Sequence, residues 1–288
     1  MKVDNAIILA AGTASRFAPL SLERPKALIE VRGEVLIERQ IRQLREAGIP
    51  EIVIVTGYRK EDFSYLAGKY GVKLAENPAY LTRNNNSSIY AAREYLKNSY
   101  ICSSDNYFLT NPFEREVEDS FYSAVYAPGK TDEWCITERD GWIQSVTVGG
   151  ADAWVMLGHV FWSERFSQTF LSILEEVYDL PETAGKLWET IYLEHIDRLP
   201  MRIRKYPEGT IFEFDTLDEL RLFDSAYVND TRSGILKDIA ARLSCTEADI
   251  VEVTACKTDS NAAAGIRFRV GGRRYAYHYE TKKLEEIP

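Results

Sequence analysis

Four short apolar runs, at residues 6–10, 52–55, 72–75 and 99–102, are separated by stretches in which apolar residues recur at helical spacing. Runs that are apolar on both faces need cover on both sides, which is the condition of a parallel sheet sandwiched by helices. The intervening pattern is clearest at 35–47, where Leu36, Ile37, Ile41 and Leu44 share one stripe and Gly48 sits where a helix would end. Further helices are predicted at 60–69 and 88–97. The fold class is therefore α/β, with a Rossmann-like, mixed but mainly parallel sheet. Such sheets bind ligands at the C-terminal ends of their strands. Two segments fall at such ends: a small-residue loop after the first run, and Ser103-Ser104-Asp105-Asn106 after the fourth.

From about residue 119 the pattern turns meander-like, with strands predicted at 122–126, 134–137, 142–148 and 153–161. Helices at 164–178 and 184–196, strands at 203–206 and 210–214, and a helix at 217–226 follow, the last with Thr216 as N-cap and Glu219 nearby. The polar segment VNDTRSG at 228–234 reads as a linker. It divides the chain into a large domain, 1–227, and a small α+β appendage, 235–288. The appendage is predicted to hold a helix at 235–243 and strands at 248–255, 265–270 and 274–279, with Gly271-Gly272 as a hairpin turn.

Several functions are excluded or disfavoured. The net charge is −9 and no strong basic cluster occurs, which argues against a nucleic-acid partner. The N-terminal apolar run is too short for a signal peptide or a membrane span, and no later stretch reaches spanning length, so no membrane insertion is expected. The four cysteines lack metal-site spacing and read as free thiols in a reducing cytoplasm. The three histidines show no metal spacing and no obvious Ser or Cys partner along the sequence, and no G-x-S-x-G occurs, which disfavours a Ser/His/Asp hydrolase.

The strongest chemical signal is Leu9-Ala10-Ala11-Gly12-Thr13-Ala14-Ser15-Arg16, followed by Arg24-Pro25-Lys26-Ala27-Leu28. Small side chains let the backbone approach a triphosphate, and successive N–H groups form an anion nest. Arg16 and Lys26 supply cations for the charge that develops on the α-phosphate and the departing pyrophosphate. This stretch resembles the signature of the nucleotidyltransferase superfamily that includes the sugar-1-phosphate and phosphocholine cytidylyl- and uridylyltransferases, L-A-A-G-x-G-x-R followed by P-K. Ala14 stands where that signature has glycine, and its methyl group restricts positive φ.

The resemblance runs over about residues 1–226. Through segments such as NNNSSIYAAREYLKNSYICSSDNYF, DEWCI, GHVFW, KLWE and GTIFEFD it narrows to the bacterial CTP:phosphocholine cytidylyltransferases. It implies a Mg²⁺ ion held by Asp105 and Asp215, with Glu213 in support; a hard cation of this kind takes carboxylate and phosphate oxygens. It places Asn84, Asn85, Ser88 and Ser104 with the nucleoside pocket. A quaternary ammonium has no hydrogen-bond donor and is held by aromatic faces and negative charge. Trp134, Trp162 and Trp188, with Asp132, Glu133 and Glu189, offer both, although tryptophans are also ordinary core residues. The expected reaction joins CTP and phosphocholine to give CDP-choline and pyrophosphate. A primary-amine acceptor such as 2-aminoethylphosphonate, or a sugar phosphate, stays open as an alternative, and a non-catalytic nucleotide or choline-phosphate sensor is the reading from another class. The appendage faintly resembles the opening of a choline-kinase N-lobe but lacks the catalytic H-x-D segment and the later metal-binding Asp. It is expected to be a packing or dimerisation module, which leaves a homodimer open.

Overall fold

The fold follows from how the apolar runs stack. In the computed structural model, which describes residues 1–257 and 263–288, the chain forms two compact units. The first comprises Met1–Gly12 and Ile37–Glu213, the second Thr13–Leu36 and Phe214–Pro288.

In the first unit β1 (Asn5–Ala10) lies between two parallel neighbours. The two-residue strands β2 (Glu30–Val31) and β3 (Glu34–Val35) belong to the second unit. β4 (Glu51–Thr56) and β6 (Ser99–Ser103) flank β1, and β5 (Lys73–Glu76) lies outside β4. The register sets Ile7 beside Val53 and Ile101, and Ile8 beside Ile54 and Cys102, all of them buried. The three central runs thus supply apolar rows to both faces of the sheet. The chain runs outward from β1 to β4 and β5, then returns to β6 on the other side of β1. That reversal is the switch point at which open α/β sheets bind ligands. α2 (Leu36–Glu46) buries Ile37, Ile41 and Leu44 as its stripe predicts, and Gly48 follows at φ +77°. α3 (Ser64–Tyr70) and α4 (Asn86–Ala91) are shorter than the predicted helices.

The predicted four-strand meander is two long strands, β8 (Phe121–Arg139) and β9 (Trp142–Trp162), paired antiparallel and turning at Asp140-Gly141. The gaps between the predicted strands, at 127–133 and 149–152, are crossed by one ladder that shifts register between Ala127 and Lys130 and between Thr131 and Trp134. Gly129 and Gly149 take positive φ there and bulge the ladder without ending it. β9 continues the sheet antiparallel to β6, and β10 (Arg202–Tyr206) pairs parallel with β8, giving the order β10-β8-β9-β6-β1-β4-β5. β7 (Asn106–Phe108) and β11 (Ile211–Glu213) form a separate ribbon that pairs Asn106 with Glu213. α5 (Glu164–Val177) starts at Ser163, whose hydroxyl accepts the Phe166 N–H; α6 (Trp188–Glu194) is the short core of the helix predicted at 184–196.

The second unit holds α1 (Leu20–Glu23), the β2/β3 ribbon, α7 (Leu217–Phe223), α8 (Ala226–Asn229) and α9 (Gly234–Leu243). It also holds an antiparallel sheet of β12 (Val251–Lys257), β13 (Ala263–Val270), β14 (Arg273–His278) and β15 (Leu284–Ile287). Thr216 and Glu219 form the expected capping box. Gly271 and Gly272 both take positive φ, as a two-residue hairpin turn requires. The segment read as a linker is packed: Thr231 and Ser233 are buried, and the Thr231 N–H and hydroxyl both donate to Glu247. The contacts therefore group 13–36 with the C-terminal segment, a division the boundary expected at 227/235 does not follow.

Candidate functional site

The residues singled out by the sequence fall in two groups, one in each unit. In the second unit the loop opens with Thr13 and Ala14. Ala14 takes φ 46° and ψ 46°, immediately before the 3₁₀ turn Ser15–Phe17. This is the left-handed region in which a Cβ costs about 1–2 kcal/mol, so the loop demands the conformation for which glycine is suited. At Gly12, the last residue of the first unit, an added Cβ would meet no atom within 4 Å. Its small size leaves open space and serves no packing contact.

Arg16 extends into solvent, and its Nη1 lies 2.7 Å from Asp215 Oδ2. Lys26 is buried by the turn Lys26–Leu28; its Nζ is 3.7 Å from Asp215 Oδ1 and 5.5 Å above the Phe17 ring. Asp215 is anchored in turn, its N–H donating to Glu219 Oε2 at 2.6 Å. The structure brings together Arg16, Lys26 and Asp215, which lie far apart in sequence, as two cations on one carboxylate.

The first unit contains a 160 Å³ cavity at the C-terminal ends of β1 and β6, lined by Leu9, Ser103, Asn106, Tyr122, Asn85, Trp188, Glu189 and Glu213 among others. Asn85 organises it: Oδ1 accepts the Trp188 N–H at 2.7 Å, and Nδ2 donates to Glu189 Oε2 at 3.0 Å. The Tyr122 hydroxyl donates to Glu189 Oε1 at 3.5 Å, and its ring lies 19° from parallel to that of Trp188, with centroids 5.9 Å apart. Burial pushes the Glu189 carboxyl up to about 7, against the pull of its hydrogen bonds from Asn85 and Tyr122. Burial likewise raises the Tyr122 phenol well above its ordinary value, keeping it a donor.

Asp105 occupies the turn between β6 and β7. Gln40 braces that turn from α2, its Nε2 donating to Ser103 O at 2.8 Å and to Asn106 O at 2.9 Å. The Ser104 N–H donates to Leu9 O at 3.2 Å, which ties the turn to the end of β1. Asn106 Nδ2 donates to Glu213 Oε2 at 3.2 Å.

Other expected residues lie elsewhere. Asn84 is exposed and donates to Gly185 O, and Ser88 is buried against Asn77. Of the four polar residues expected around the nucleoside, Asn84, Asn85, Ser88 and Ser104, Asn85 lines the cavity and the other three do not. Trp162 is wholly buried between Phe166, Phe170 and Trp188. It backs the Trp188 ring edge-on and is no wall of the cavity; its place on the sheet beside Ser99 turns it inward. Asp132 and Glu133 are exposed on β8. Trp134 is half-buried and packs on the core. Gln40 and Tyr122 escaped the sequence reading. Gln40 did leave a signal, since it is polar yet falls on the buried stripe of Ile37, Ile41 and Leu44. Tyr122 left none, because an aromatic residue in an apolar strand reads as core.

Among the described residues no group of three or more His, Cys, Asp or Glu is arranged to hold a metal ion. Asp105 and Asp215 each offer carboxylate oxygens, the donor type that a hard cation takes together with phosphate oxygens and water.

The mainly parallel sheet of the first unit, with a polar cavity at its strand ends, has the fold of an α/β nucleotidyltransferase. The chain belongs to the MobA-like NTP transferase family, whose model matches residues 6–174. It is 34% identical over 226 residues to the choline-phosphate cytidylyltransferase of Streptococcus pneumoniae, covering 78% of this chain and 99% of that protein. It is 36% identical over 234 residues to the 2-aminoethylphosphonate cytidylyltransferase of Lancefieldella rimae, covering 80% and 95%. The solved structure of the CTP:phosphocholine cytidylyltransferase from Streptococcus pneumoniae superposes with a TM-score of 0.75, covering 78% of this chain and 99% of the other. Nucleotidyltransferases of this kind generally use a divalent metal ion. Among the described residues no helix is long and apolar enough to cross a membrane.

Proposed function

We propose that the chain transfers CMP from CTP to phosphocholine, releasing pyrophosphate and forming CDP-choline. An oxygen of the acceptor phosphate bonds to the α-phosphorus as the bond to the pyrophosphate oxygen breaks, and the leaving group departs with that electron pair. No protein nucleophile is required, because positioning and charge stabilisation carry such a transfer. Arg16 and Lys26 offset charge on the α-phosphate and pyrophosphate, and the Thr13–Ser15 backbone supplies N–H donors. Bound Mg²⁺ would supply further neutralisation of phosphate charge; Asp215 is assigned to it in the second unit and Asp105 in the first, each on its own surroundings.

The observation that carries the acceptor assignment is the wall formed by Trp188 stacked on Tyr122 beside the Glu189 carboxyl. Aromatic faces with an adjacent carboxylate suit a cation. A second reading, 2-aminoethylphosphonate as acceptor, is favoured by the carboxylates Glu189 and Glu213 in the same cavity, since a primary ammonium donates hydrogen bonds to carboxylates.

The test is pyrophosphate release from each of the four NTPs with phosphocholine, phosphoethanolamine, 2-aminoethylphosphonate and sugar 1-phosphates. The expected result is the highest kcat/KM for CTP with phosphocholine, with phosphoethanolamine weaker. A preference for 2-aminoethylphosphonate would move the assignment to the second reading. No turnover with any pair, despite nucleotide binding, would make the chain a sensor. Trp134→Ala, measured alongside, reads whether that ring joins the acceptor wall.

A further inference from the structure

The relatives described above are covered over almost their whole length, yet they leave about a fifth of this chain unmatched. In the second unit the C-terminal segment lies against the segment that carries Lys26. Glu23 ends α1, three residues before Lys26, and its Oε1 accepts the N–H of Gly234 at 2.8 Å and of Ile235 at 3.2 Å. It thereby takes up two of the donors that the first turn of α9 leaves without helical partners, and its charge faces the positive end of that helix. The Ser233 hydroxyl accepts the Leu236 N–H at the same end, so the terminus is capped from both sides. Further along, the Tyr227 hydroxyl donates to Glu30 O at 2.6 Å, and Arg232 pairs with the Glu30 carboxylate at 3.3 Å. The Arg32 N–H donates to Asp224 Oδ2 at 2.7 Å, and its guanidinium stacks 3.7 Å over Phe223. Residues 23–32 are thus held at both ends, with Lys26 between.

We infer that the C-terminal segment positions the phosphate cradle, with Glu23 as the positioning residue that couples the start of α9 to Lys26. Lys26 is buried in a single turn, with its ammonium 3.7 Å from Asp215 and 5.5 Å above the Phe17 ring. A short turn that begins at a proline has little internal means of holding a long side chain. The tie from Glu23 fixes the entrance to that turn, and the ties at Glu30 and Arg32 fix its exit. The cost of ordering the cradle is then met when the chain folds and need not be met when nucleotide binds. The inference rests on the reading of 13–26 as a triphosphate cradle, and does not depend on which acceptor is used.

The test compares full-length Glu23→Ala, Glu23→Gln and Glu252→Ala. Glu252 is engaged by Arg269 across the C-terminal sheet and serves as a control within the same segment. Wild type is first titrated calorimetrically with each of the four NTPs in the presence of Mg²⁺, without acceptor, and the tightest binder is used throughout. Glu23→Ala should weaken that nucleotide about 3- to 10-fold, the scale set by a carboxylate at a helix terminus. KM for the acceptor should not change. Glu23→Gln keeps an oxygen acceptor for the two N–H groups and should recover part of the loss, while Glu252→Ala should bind as wild type. Wild-type affinity in Glu23→Ala would overturn the inference, as would an equal loss in Glu252→Ala. If wild type binds a nucleotide but turns over no phosphocholine, the acceptor assignment fails while the comparison among the variants still decides the inference.

Discussion

Arg16 Nη1 lies 2.7 Å from Asp215 Oδ2, so a cation expected to meet phosphate and a carboxylate expected to meet metal are each other's partners. Lys26 approaches the other oxygen at 3.7 Å. In the proposed reaction a triphosphate and a metal ion would each offer one of these partners a replacement. Asp215→Ala is expected to lower kcat by at least about 10²-fold, the scale of losing a charge-stabilising element. Loss of the exposed Arg16 pair should contribute little to stability, whereas the buried Lys26 loses a neighbouring carboxylate, so a measurable drop in melting temperature is expected. Steady-state kinetics at saturating Mg²⁺ beside a thermal melt check this; wild-type turnover would remove Asp215 from the chemistry.

Arg16 and Lys26 should respond differently to substitution. Arg16→Lys replaces a planar fork with a point charge and should lower kcat/KM for CTP while leaving the melting temperature unchanged. Lys26→Ala removes a buried cation and should raise KM for CTP and lower kcat together, since that charge acts on the bound nucleotide and on the departing pyrophosphate. Equal kinetics for Arg16→Lys and wild type would make Arg16 a surface residue.

Ala14 is held at φ 46°, ψ 46°. Ala14→Gly relieves the left-handed strain but adds unfolded-chain entropy, for an expected net gain of about 0.5–1 kcal/mol. Chemical denaturation reads the gain as a higher midpoint at unchanged slope, and CTP affinity should hold or improve. A lower midpoint would mean that the methyl group makes a contact worth more than the strain.

Gln40→Leu keeps the volume near that of glutamine but leaves the carbonyls of Ser103 and Asn106 without the donor that braces the Asp105 turn. We expect kcat to fall at least tenfold, since displacement by about 1 Å at a reacting group costs on the order of 10²-fold. The far-ultraviolet circular dichroism spectrum should be unchanged. Wild-type kcat would show that the turn holds its shape through the Ser104–Leu9 backbone bond alone.

The Glu189 carboxyl is pushed from 4.5 up to about 7 by burial. Below that value it is mostly neutral and attracts a cationic acceptor weakly, so KM for phosphocholine should rise as pH falls, by up to about tenfold from about pH 8 to about pH 6. The sign for stability is the opposite of the usual carboxylate case. Between 4.5 and about 7 the folded protein holds a proton that the unfolded chain has lost, so this group's contribution to stability falls as pH rises through that window. Glu189→Gln should flatten both dependences; a pH-dependent KM that survives this variant would assign the titration to another group.

Much of this was written along the chain. The apolar runs determined a parallel sheet because residues apolar on both faces have no other way to leave water. The spacing of Leu9 to Arg16 and of Pro25-Lys26 marked the loop, since phosphate contact demands small residues followed by cations. The long β8–β9 pair was not legible, because the stretches at 127–133 and 149–152 interrupt the apolar pattern and only the partner strand shows that the ladder shifts register there and continues. Nor could the sequence choose among tryptophans. Trp162 and Trp188 look alike in one dimension, and only packing sends one into the core while the other meets a cavity. The pairing of Arg16 and Lys26 with Asp215, and the reach of Glu23 to α9, join residues nearly two hundred or more positions apart. Local propensity carries no information about such contacts; they arise when the chain buries its cores and brings distant segments within hydrogen-bonding range.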